Sequence, residues 1–187
     1  MNLLLLVPVI VGVGVLVFFY FFLMVKAPKG VLFFLVDKEG SLQEWGEGPL
    51  TKIKSFSSTF MTIPVNVEVG ALIALPTKKG EAKISADGKF RVMNGELIFV
   101  ALGSSVSEKT VKEKISQLLS ETLQGIKTLK KDLGNATVSS LQESWRPWKY
   151  DKEFHETLPL KIQSLGVEVD EAKIALAEFE GSPIMAL

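Results

Sequence analysis

The chain has 187 residues, with 21 basic and 21 acidic side chains, one His and no Cys. That balance excludes a broad field able to draw nucleic acid or an acidic substrate. The lack of Cys excludes a disulfide frame, a zinc knuckle and a thiol nucleophile, and fits a reducing compartment.

No charged side chain precedes Lys26. From Leu3 to Val25 the run is Leu, Val, Ile, Phe and Met, interrupted by Pro8, Gly12, Gly14 and Tyr20. As a helix it would extend roughly 35 Å, enough to cross a hydrocarbon core of about 30 Å with a tilt. The sequence therefore predicts a transmembrane anchor over residues 1–25. A cleaved signal peptide fits less well: the apolar run is too long, no basic side chain precedes it, and Met24-Val25-Lys26-Ala27-Pro28 is a poor cleavage site. Phe18, Phe19, Tyr20, Phe21 and Phe22 stand near the exit end, where aromatic rings favour the headgroup level. Lys26 and Lys29 follow, so the positive-inside bias predicts a single-pass membrane protein whose remaining residues face the cytoplasm.

Residues 31 to 80 read as β. Val31–Val36 is a short apolar run closed by Asp37-Lys38-Glu39-Gly40. Phe33 and Phe34 within it have two readings: a buried strand, which is favoured, or rings reaching the headgroup region as an interfacial contact. Gly46, Gly48 and Pro49 mark a break. Met61–Val69 alternates apolar and polar, as a half-buried strand does, with Pro64 marking an edge or a bulge. Ala82–Ala86 alternates again, Asp87-Gly88 reads as a hairpin turn or a bulge within a longer strand, and Phe90-Arg91-Val92 resumes the pattern.

Ser107 caps a helix carrying one apolar stripe: Val111, Ile115, Leu118, Leu119, Thr122, Ile126, Leu129 and Leu133. Gly134 and Asn135 stop it. A second helix is predicted over 151–164, kinked or split by Pro159 and ended by Gly166. Val167–Asp170 and Ala172–Leu176 return to a period of two. Strands, helix, helix, strand is an α+β order, with mostly antiparallel strands and amphipathic helices.

No catalytic, cofactor or metal site is legible. His155 has no G-x-S-x-G elbow to serve. Gly12-Val13-Gly14 lacks the third glycine of a dinucleotide fingerprint. Asn135-Ala136-Thr137 has the form of a glycosylation sequon but reads as a polar helix stop. Trp145 and Trp148 read as core or as an interface anchor.

Thr77-Lys78-Lys79-Gly80-Glu81-Ala82-Lys83-Ile84-Ser85-Ala86-Asp87-Gly88-Lys89-Phe90-Arg91-Val92 resembles a segment of stomatin, prohibitin and flotillin domains, the SPFH or band-seven superfamily. Ile115–Gly125 is similar to that family's helix ending L-E-G, and Ala136–Leu141 to its short T-v-e-e-l segment. Leu158–Val169 looks most like the flotillin type, in which a helix with an internal Pro leads to a Gly and a strand. The departures are Ser139 and Ser140 in place of an acidic pair, Trp145-Arg146-Pro147-Trp148 in place of charged residues, and a chain that stops at Leu187 where those families continue into a coiled coil. The resemblance implies an SPFH-like domain over 26–181 with a short tail at 182–187. It further implies a membrane-anchored, non-enzymatic scaffold that assembles laterally into rings, with the lipid bilayer, other copies and a membrane-protein client as partners and no nucleic acid or cofactor. A tethered adaptor for one partner protein, such as a protease or transporter, is the alternative.

Overall fold

A computed structural model of the chain describes residues 3–135, 137, 146 and 148–183, with side chains from residue 11 onward except those of residues 148, 182 and 183. It divides into two compact units, Met1–Ile63 and Pro64–Leu187.

The first unit opens with helix α1, Leu3–Leu23. The chain turns extended at once into β1, Met24–Ala27, so Val25 lies in a strand and the helix is shorter than the predicted anchor. The transmembrane prediction is corrected here: among the described residues no helix is long and apolar enough to cross a membrane. The expected single-pass location, with a cytoplasmic domain behind it, is withdrawn on the same finding.

The strands of this unit are antiparallel where their register is resolved. β1 pairs with β4, Leu50–Ile53. β2, Val31–Val36, lies between β3, Leu42–Glu47, and β5, Thr59–Pro64. The β2–β3 turn forms as its composition predicts: Asp37 Oδ1 accepts from the backbone N–H of Glu39 (2.9 Å) and of Ser41 (2.8 Å), and Gly40 takes φ +83°. Leu32, Phe33, Phe34 and Val36 are buried along β2.

The second unit is a four-stranded antiparallel sheet in the order β6 (Asn66–Pro76), β7 (Glu81–Val92), β8 (Val167–Phe179), β9 (Ser182–Pro183). Helices α2 (Gly95–Leu102), α3 (Glu108–Gly125), α4 (Lys127–Asn135) and α5 (Trp148–Gln163) complete it. β6 alternates strictly, burying Val67, Val69, Ala71, Ile73 and Leu75 and exposing the residues between. α3 and α4 pack on β6, α5 packs on β8, and α3 meets α5. The unit is α+β with antiparallel pairing, as the order of periods predicts.

Two local expectations are revised and two stand. Met61–Val69 is two strands, because β5 ends at Pro64, which has no N–H to continue a ladder. Of the two readings of Asp87-Gly88, the longer strand holds: β7 runs through the dipeptide, with register shifts against β8 at Lys83/Ile84 and Lys89/Phe90. The helix predicted from Ser107 to Leu133 is two helices, since Ile126 is extended (φ −69°, ψ 104°) directly after Gly125, a weak helix former. The two runs after Gly166 form the single last strand that the order predicts, β8.

Candidate functional site

Three surface features have the shape or chemistry to take part in function. The first is a groove of about 450 Å³ in the second unit, where α2 begins, α5 ends and β8 starts. Met93, Leu97, Pro159, Gln163, Gly166, Val167, Glu168 and Val169 line it. Its frame follows from local sequence. Asn94 caps α2, its side-chain oxygen accepting from the N–H of Glu96 (2.9 Å) and Leu97 (3.2 Å). The Met93 and Asn94 N–H groups both donate to the carbonyl of Gly166, at 2.9 and 3.0 Å. Gly166 holds φ +76°, and a Cβ there would stand 3.0 Å from the side chains of both Asn94 and Leu97. Only glycine permits this junction. The groove is apolar yet open: Met93 is 52 % and Leu97 38 % exposed. Glu168 forms part of its lining and the exposed Glu96 precedes Leu97 in the first turn of α2.

The second is a shallower depression of about 360 Å³ on the outer face of the sheet, over Gly70 and Gly88 and among Glu68, Asp87, Lys89, Glu171 and Lys173. Lys89 Nζ lies 3.9 Å from carboxylate oxygens of both Glu68 and Glu171, and Lys173 pairs with Glu171 at 2.7 Å. The hydrogen bond from Lys173 holds the Glu171 carboxyl below its usual range and raises the Lys173 ammonium in turn. These charges satisfy one another across neighbouring strands. No group of three or more His, Asp or Glu able to hold a metal ion occurs among the described residues.

The third is α1. Phe18, Tyr20, Phe21 and Phe22 are 66, 52, 62 and 63 % exposed, and Val11, Val13, Val15, Leu16, Val17 and Phe19 are exposed as well. Phe19 packs edge-to-face on Phe56, 5.4 Å between ring centroids.

The remaining sequence-predicted residues fall elsewhere. Leu3 begins α1 and Val25 lies in β1, partly covered. Phe33 and Phe34 are 5 and 0 % exposed, and Phe33 stacks on Phe60, so the strand buries both rings. His155 Nδ1 is 2.8 Å from the Asp151 carbonyl and Nε2 3.2 Å from the Ala172 carbonyl; the ring joins α5 to β8. Asn135 donates to the Lys131 carbonyl at 3.1 Å, a polar helix end. Trp145, Ser139, Ser140 and, apart from Thr137, the segment 136–141 lie outside the described residues, as does the side chain of Trp148.

The groove was missed in the sequence because α2 was missed. Asn94, a capping residue, before Glu96 and the apolar run from Leu97 was the available signal. No protein-family model matches the chain, and no curated protein matches it.

Proposed function

We propose that this protein is a non-catalytic scaffold of the band-seven type, which gathers on lipid and associates laterally with copies of itself. The observation that carries the proposal is the uncharged, exposed surface of α1 from Val11 to Phe22. Apolar surface of that extent is normally covered by a partner or by lipid. Covering one of its half-exposed side chains contributes about 1 kcal/mol, so the set contributes roughly 10. Micromolar binding takes about 8 kcal/mol, so lipid acyl chains suffice as the cover. Confinement to a surface then raises the effective concentration of the rest of the chain and favours contacts too weak to persist in solution.

Flotation with phosphatidylcholine vesicles tests the first half. The full chain is expected to float, and the Phe18→Ser, Phe21→Ser, Phe22→Ser variant to float several-fold less. Native mass in mild detergent tests the second half: large discrete assemblies support the scaffold. A second reading, an adaptor that seats one partner protein, draws on the open apolar groove beside Met93 and Leu97. A strictly monomeric chain on lipid would favour that reading.

A further inference from the structure

We infer that the groove beside α2 is the acceptor half of a head-to-tail contact between copies of this chain, and that α4 of the next copy is the donor half. The inference rests on the self-association proposed above and assigns its contact. Two sets of charges without ion pairs carry it. Lys127, Lys130 and Lys131 are exposed on α4, and their ammonium groups form no ion pair among the described residues. Glu168 on the groove and Glu96 beside it are exposed and equally without an ion pair.

The two sets stand at opposite ends of α5. Asp132 of α4 receives Tyr150 Oη at 3.0 Å and Lys149 Nζ at 2.5 Å, and the Lys127 N–H donates to Glu153 at 3.1 Å, so α4 is fastened to the first turns of α5. The groove uses Pro159 and Gln163, at the end of the same helix. From Tyr150 to Gln163 the helix rises about 20 Å. Donor and acceptor on one chain are therefore too far apart to pair with each other, so pairing the two takes a second molecule. A contact between two different surfaces propagates from copy to copy and does not stop at a pair.

The chemistry of the groove fits lysine. A lysine side chain lays its four methylenes along apolar surface and keeps its ammonium in a polar rim. Met93 and Leu97 offer the apolar surface and the Glu168 carboxylate a polar rim, with Glu96 adding negative charge one residue before Leu97 on α2. Arg91, the cross-strand neighbour of Glu168, and Lys161 on α5 reduce the acidity of that end without pairing with it among the described residues.

The test is a charge swap in the full chain, sized by sedimentation velocity in mild detergent. One variant carries Glu96→Lys and Glu168→Lys; the other carries Lys130→Glu and Lys131→Glu. All four positions are exposed, and circular dichroism confirms that each variant folds. Alone, each variant is expected to self-associate at least tenfold more weakly than the parent chain, because both surfaces then have the same sign. Mixed in equal amounts they present opposite signs at both junctions, and assembly is expected to return. Assembly of both single variants at the parent's affinity would place the contact elsewhere and overturn this inference while leaving self-association standing. Weakened variants that fail to recover on mixing would also overturn it. A parent chain that stays monomeric at every concentration would instead remove the scaffold reading itself.

Discussion

Asp132 shows how one side chain organises two helices. Burial pushes its carboxyl up, but the hydrogen bonds from Lys149 and Tyr150 outweigh that and hold it below the usual carboxylate range. Tyr150 is driven far above the usual phenol range by burial and by its bond to the same carboxylate, so its proton stays in place as donor. A carboxyl lowered in the folded state contributes stability that is present above its unfolded pKa, about 4, and lost as pH falls through the lower folded value. Thermal melts of the parent chain should accordingly drop in midpoint as pH falls below about 4, and Asp132→Asn should lose part of that pH dependence. Asp132→Ala, which removes the acceptor of the Tyr150 hydroxyl and the ion-pair partner of Lys149, should cost roughly 1–3 kcal/mol at pH 7. An unchanged melting midpoint in Asp132→Ala would show that the α4–α5 fastening lies elsewhere. Gly166 is the other residue with leverage. Its φ of +76° and its crowding by Asn94 and Leu97 mean that Gly166→Ala should destabilise by at least about 1 kcal/mol and distort the groove; a melt matching the parent's would contradict that.

At the scale of elements, α3 exposes what periodicity tells and what it leaves out. Val111, Ile115 and Leu119 are fully buried, as the stripe predicts; Leu123, outside that stripe, is buried as well, whereas Leu118 is only partly covered. Leu119→Ala should therefore cost about 2–5 kcal/mol, and Leu118→Ala markedly less. Lys112→Asp should change stability by under about 1 kcal/mol, since its pairing with Glu108 is an exposed i,i+4 contact. Chemical denaturation of the three variants ranks them, and equal losses for Leu118 and Leu119 would mean the stripe is rotated. Period located the strand β8 and the helices α3 and α5, because each presents one face to a core, and a short apolar run located β2. It failed where the backbone changed while the hydrophobic order continued. Ile126, Leu129 and Leu133 keep their burial across the α3–α4 break, so the stripe carried no trace of it. At Asp87-Gly88 the sequence left a turn and a longer strand both open, and pairing decided: β7 is paired on both sides there, with Gly70 against Asp87 and Ala172 against Gly88. The groove joins Asn94 to Gly166, residues far apart in sequence, and no local pattern announces such a pairing.

For the whole molecule, the division at Ile63 carries a consequence for folding. The contacts of the chain form two sets, Met1–Ile63 and Pro64–Leu187. The second unit closes its own sheet: β7 is paired with β6 on one side and β8 on the other, and α3 and α5 supply the cover. Its core is rich in fully buried side chains, Phe90, Ile98, Ile115, Leu119, Phe154 and Phe179 among them. A domain of that size with a continuous core is large enough to fold alone. Residues 64–187 should thus give a soluble fragment with a cooperative thermal transition of its own. In the full chain the two units should melt separately. Trp45 lies on β3 in the first unit, so Trp45→Phe leaves tryptophan fluorescence that arises only beyond residue 64. The fluorescence transition of that variant should coincide with the transition of the 64–187 fragment to within a few degrees, while circular dichroism of the full chain should show a second step. A fragment without a cooperative transition, or a full chain in which both probes trace one curve, would show that the units hold a single folding core despite their separate contact sets.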